Sequence, residues 1–311
     1  MLQQTSQADA TAPQSTRLAI LVPFAIVTLI WGSTWLVIRD QVSAVPPSWS
    51  VTYRFLVAGI AMVITALIRA ERFALDRRGW LFALAIGFSQ FCLNFNFVYR
   101  AEEHITSGLV AVVFALLLVP NALMGRLFLG QRLGWQLLVG SGIAMTGVVL
   151  LFVHEARADP NGGREALIGI GLTLCAIMAA STANVLQGTE TARRYPMVPT
   201  LAVAMLIGAA IDASVAFTLS GPPVIEPRPA YLAGILYLGL FGSAIAFTLY
   251  FGVLRVIGPA KAAYSSVIVP VIAMLLSTLF EGYRWTPLAV GGGALTLIGL
   301  VIALRARRPA R

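Results

Sequence analysis

The 311-residue chain is 58% hydrophobic and 11% charged, with a mean hydropathy of +0.84. That is too little polar surface for a soluble domain of this length and indicates a polytopic membrane protein. The formal net charge of +9 does not indicate nucleic acid, because the arginines stand between apolar runs and never form a long basic block.

Residues 1–16 are polar and expected to be disordered. Ten apolar runs follow, each near the roughly 20 residues needed to cross a hydrocarbon core: 18–38, 48–68, 79–99, 105–129, 134–153, 166–186, 198–219, 230–254, 259–280 and 286–304. The first is too long for a signal-peptide core. All are continuous, with no alternation at period two, so helices and not a barrel are expected.

Residues 99–152 and 251–302 echo one another. Pro120 matches Pro270 and Trp135 matches Trp285 at one offset, while Ile105, Gly140 and Gly147 match Ile257, Gly292 and Gly299 at an offset two residues longer. Five spans per copy is an odd number, so the second copy enters the membrane upside down. The expected fold is an all-α membrane protein of ten transmembrane helices in two inverted five-helix repeats, 17–153 and 166–304. The Pro160-Asn161-Gly162-Gly163 loop lies in the linker 154–165, and residues 305–311 form a basic tail.

With the N-terminus inside, the inner segments hold Arg17, Arg69, Arg72, Arg77, Arg78, Arg126, Arg132, Arg193, Arg194, Arg255, Lys261, Arg305, Arg307, Arg308 and Arg311. The outer segments hold only Arg39, Arg100, Arg157, Arg164, Arg228 and Arg284. This bias places both termini in the cytoplasm.

Along the chain, Trp31, Trp35 and Ile38 share a face of the first helix. Arg54 lies roughly 9 Å inside the second span at 1.5 Å per residue, where it lines an outward-facing vestibule, contacts a substrate carboxylate, snorkels toward the outer interface or ties down neighbouring carbonyls. Gln90 and Asn94 share a face of the third span, as do Ser181 and Asn184 of the sixth; these amides either cross-link helices or present donors and acceptors to a ligand. Asn96 points away from Asn94 and is expected to be structural. Tyr99 and Trp285 read as parts of an interfacial belt, whereas Trp31 and Tyr264 are expected deeper, where rings suit an apolar or zwitterionic substrate. Asp212, the one carboxylate well within a predicted span, is a candidate proton relay, and Lys261 is either a topogenic charge or a gate. Cys92 and Cys175 read as small core residues. With no phosphate loop, triad or Cys/His cluster, no enzyme chemistry, metal or cofactor is expected.

Trp31-Gly32-Ser33, Pro47, Arg54, Pro120, Pro270-Val271, Glu281 and the paired glycines occur in an order that resembles the EamA-type branch of the drug/metabolite transporter superfamily, from Trp31 to Leu304. Gln131 departs from the Glu often found there. The resemblance implies an inner-membrane secondary transporter moving a small-molecule substrate outward by alternating access, and the fused inverted repeat implies that a monomer suffices. Its cavity would lie among the first, third, fourth, sixth, eighth and ninth helices, with Trp31, Ser33, Arg54, Gln90, Asn94, Asn184 and Tyr264 as candidate binding residues and Lys261 and Asp212 as gating or coupling candidates. The comparison favoured is with aromatic amino-acid exporters of the YddG type; export of nucleosides or drugs, or channel-like conduction, is the alternative. Small multidrug transporters of the superfamily carry a Glu in their first helix, and its absence here disfavours a cationic-drug antiporter.

Overall fold

A computed structural model of the protein describes residues 14–131, 134–158, 163–257, 262 and 265–304. They form ten principal helices: α1 (Gln14–Val42), α2 (Pro47–Ile68), α3 (Arg77–His104), α4 (Ser107–Leu129), α5 (Trp135–Ala158), α6 (Arg164–Gln187), α7 (Met197–Ser220), α8 (229–257), α9 (Ser265–Phe280) and α10 (Pro287–Leu304). A single turn, Glu190–Arg194, separates α6 from α7. Eight of these helices are long and apolar enough to cross a membrane, and the described parts of α9 and α10 are shorter apolar helices.

Local chemistry sets the ends. Pro47 and Pro229 open α2 and α8, where a missing N–H leaves nothing unpaired. Asp76 caps α3 by accepting from the Gly79 N–H at 2.8 Å, and also accepts from the Tyr195 hydroxyl. The Tyr195 bond first, then the Gly79 N–H, hold its carboxyl below the ordinary range. Gly130 ends α4 in the left-handed region at φ 64°, a conformation a side chain resists.

The third span runs five residues beyond its expected end at Tyr99 and stops at His104, which leaves only Ile105 and Thr106 before α4. Tyr99 is therefore fully buried in the bundle and not part of an interfacial belt, and Glu102 is a second buried carboxylate beside Asp212. Trp285, in contrast, is half exposed at a helix end. Cys92 is buried, but Cys175 is on the outside of the bundle and is not a core residue.

The two repeats meet most closely along α5 and α10, which cross in antiparallel register. A Cβ on Gly140 would strike the backbone of Gly299 and Ala303, and one on Gly147 would sit 2.5 Å from the Gly292 carbonyl. Each glycine thus faces the repeat-mate of the other, as a local two-fold axis in the membrane plane requires. Small residues let the backbones touch, which is how apolar helices associate in lipid.

Candidate functional site

Two segments widen to π-helical winding, Gly87–Asn94 in α3 and Leu240–Ile245 in α8. They occupy corresponding places in the two repeats and flank the same central cavity. Such widened turns leave carbonyls without their usual helical partner. The Gly242 carbonyl accepts from Trp31 Nε1 at 3.2 Å and from Arg54 Nη2 at 3.3 Å.

The cavity, about 780 Å³ including its mouth, is lined by α1, α2, α3, α4, α6, α8 and α9. That is the expected set of helices with α2 added through Arg54. The wall is mostly apolar, with Trp31, Trp35, Phe95, Phe114, Phe247 and Tyr250 supplying rings, and no acidic side chain among the described residues lines it. Trp31 packs against Tyr250 and Phe247 at centroid separations of 4.9 and 5.3 Å.

Arg54 is only 1% exposed. Its Nε donates to Ser243 Oγ at 2.9 Å, and a longer bond of 3.4 Å runs from Nη1 to the Tyr99 hydroxyl. The guanidinium lies over the Phe95 ring at 4.3 Å, a cation–π contact. No carboxylate bonds it among the described residues, so it is a membrane-buried cation held by neutral groups. This placement is neither a snorkel to the surface nor an ion pair.

Gln90, Asn94 and Asn184 also reach the cavity. The Asn94 side-chain carbonyl is buried without a hydrogen-bond partner, and Asn184 donates to Asn121 at 3.3 Å. Ser181, three residues before Asn184, is buried and does not line the cavity.

Ser33 is a correction. Its hydroxyl lies 2.7 Å from the Tyr237 hydroxyl and donates to the Ile30 carbonyl, tying α1 to α8 and not lining the cavity. At 100° per residue, positions 31, 34, 35 and 38 form one face and position 33 falls on another. Thr34, Phe114 and Phe247 do line the cavity and escaped the sequence reading, because a single Thr or Phe inside an apolar run carries no signal of its own.

Asp212 lies outside the cavity lining. It is buried on α7, accepting from Asn96 Nδ2 at 2.6 Å, with the Cys92 thiol beside it. Asn96 in turn accepts from Ser48, so it is structural as expected, and it bridges α2, α3 and α7. Tyr264 and Lys261 lie outside the described residues. Among the described residues no group of three metal-ligating side chains occurs.

The profile of the EamA-like transporter family matches residues 18–153 and again 167–305. The chain belongs to the EamA-like transporter family. Within this family, it is 32% identical over 287 residues to "Uncharacterized inner membrane transporter YedA" of Escherichia coli K12, covering 88% of each chain. It is 25% identical to "Protein PagO" of Salmonella typhimurium, over 93% of this chain and 92% of PagO. It is also 25% identical to a "Probable terminal-alkyne amino-acid exporter" of Streptantibioticus cattleyicolor, over 90% and 91% respectively. A crystal structure 21% identical superposes with a TM-score of 0.67, covering 94% of this chain and 98% of the other, which shows the shared fold. The protein is a multi-pass membrane transporter and not an enzyme.

Proposed function

We propose that the protein exports amino acids with aromatic or other hydrophobic side chains across the inner membrane by alternating access, working as a monomer. The observation that carries this reading is a ring-lined cavity whose one ionic group among the described residues is Arg54. A guanidinium held by neutral partners can receive a substrate carboxylate without first losing an ion pair. The unpartnered Asn94 carbonyl offers an acceptor to an ammonium, and the rings offer area and stacking to the side chain. A cavity with no acidic group among its described lining residues is poorly suited to organic cations. The exporter name carried by the Streptantibioticus relative agrees with this class, and a single chain already contains both halves of the α5–α10 seam.

The test is efflux from cells or vesicles loaded with a panel of aromatic amino acids, nucleosides and organic cations. Aromatic amino acids are expected to leave fastest, and Trp31→Ala should weaken their apparent affinity several-fold, since an aromatic pair contributes about 0.5–1.5 kcal/mol beyond its area. Robust transport of cations with none of amino acids overturns the assignment. Orientation is read separately: reporters fused at Arg311 and at Gly162 should give cytoplasmic and periplasmic signals respectively, and matching signals would contradict the arginine distribution.

A further inference from the structure

At the end of the bundle where α3 meets α4, the side chain of Glu102 is 0% exposed, and neither of its carboxylate oxygens has a hydrogen-bond partner. We propose that Glu102 is a proton-binding site, and that the proton it takes up closes this end of the transporter.

The surroundings favour a proton over every other ligand. Arg39 of α1 and Arg54 of α2 lie within Coulombic reach, as does Glu281 at the end of α9. Arg39, however, donates to the backbone carbonyl of Glu102, and Arg54 donates to Ser243, Tyr99 and Gly242. Glu281 is already engaged: it accepts from the Ser107 N–H at 3.0 Å, from the Ser107 hydroxyl and from Ser277 at 3.2 Å. On the same helix, His104 pairs with Glu165 of α6 at 2.5 Å, while Arg100 donates to Ser48. Glu103 is exposed, as is Arg164 at the start of α6. A metal cation at Glu102 would face two guanidiniums and lack a shell of oxygen ligands. A proton needs no shell and removes the unpaired buried charge, which is otherwise costly.

The same residues mark this end as closed. Glu281 pins the first turn of α4, Gly108 packs against Met274 and Ser277 of α9, and Tyr99, Ala101 and Leu109 are fully buried. Opening would wet Glu102, and a hydrated carboxylate ionises readily. Proton binding and closure are therefore linked: acid favours the closed end, and alkali favours opening by at most about tenfold per pH unit for a single proton.

The idea rests on alternating access but not on which substrate is carried, so its test uses none. Protein in nanodiscs, in a Cys175→Ala background, carries spin labels at Ser43→Cys and Arg164→Cys, both exposed at this end. A longer-distance population should grow from pH 5.5 to 8.5 and be absent at every pH in Glu102→Gln. Infrared spectra should show the carbonyl stretch of a protonated carboxyl that Glu102→Gln removes and Asp212→Asn does not. Glu102→Asp, which keeps the acid, should shift the midpoint of the distance change. Distances that ignore pH, a response to sodium at fixed pH instead, or a carboxyl band untouched by Glu102→Gln would each overturn the proposal. If Glu102→Gln fails to fold, an unshifted midpoint in Glu102→Asp overturns it as well.

Discussion

Replacing Arg54 by Gln is expected to lower transport of an amino acid by roughly 30- to 150-fold, corresponding to about 2–3 kcal/mol for one partner of a desolvated charge pair. The same variant should move the uncharged amide of that amino acid far less. The comparison is needed because Arg54 has attachments to the bundle that Gln cannot reproduce. Its Nε holds Ser243 and its face covers Phe95, so part of any loss comes from loosening α2 against α8. That part falls equally on both compounds, whereas a lost carboxylate contact falls on the acid alone. Arg54→Lys should recover a fraction, since an ammonium keeps the charge but not the planar fork. Equal losses for acid and amide would leave Arg54 as a strut between the repeats.

Much of this site was legible in the sequence, and what escaped did so for physical reasons. Hydropathy alone located the ten helices, because a membrane span must satisfy its backbone internally over a fixed length, and matched prolines, tryptophans and glycines marked the duplication. Arg54 stood out because charge at that depth is rare, and the four-residue spacing of Gln90 and Asn94 put both on the cavity wall. The π-helical stretches left no mark on hydropathy, since Gly87 and Gly242 read as ordinary small residues of a span. Without those stretches the Gly242 carbonyl has no reason to meet Trp31 and Arg54. Glu102 was hidden differently: the polar run Arg100 to His104 looks like the end of a span, yet α3 carries it on as helix into the closed end. Ser33 differs from Trp31 because residues two apart on a helix lie about 200° around its axis, on opposite sides, so the Trp31-Gly32-Ser33 motif cannot present both to one cavity.

The largest structural loss is expected where the repeats touch backbone to backbone. Gly140→Val and Gly299→Val each place carbon where the partner helix already has main-chain atoms: Gly299 and Ala303 against the first, Ala144 and Gly140 against the second. A clash with a flexible side chain can be relieved by a rotamer change, but here the only relief is to move α5 and α10 apart. That separation also stretches the weak Thr296 hydroxyl contact to the Ala144 carbonyl, now at 3.5 Å. Overpacking usually costs about 1–3 kcal/mol, and a site closed on both sides by backbone should reach or exceed the top of that range. Lower melting temperature and a broadened elution profile in detergent would be the readouts. Gly142→Val provides the control, because a Cβ there meets nothing within 4 Å and the substitution should be tolerated. Because Gly140 and Gly299 face one another across the seam, the double variant Gly140→Val/Gly299→Val should cost less than the sum of its parts: once one valine has spread the helices, the second enters a gap already opened. Strict additivity would mean that the two contacts yield independently, and that the seam bends locally instead of separating as a pair of rigid helices.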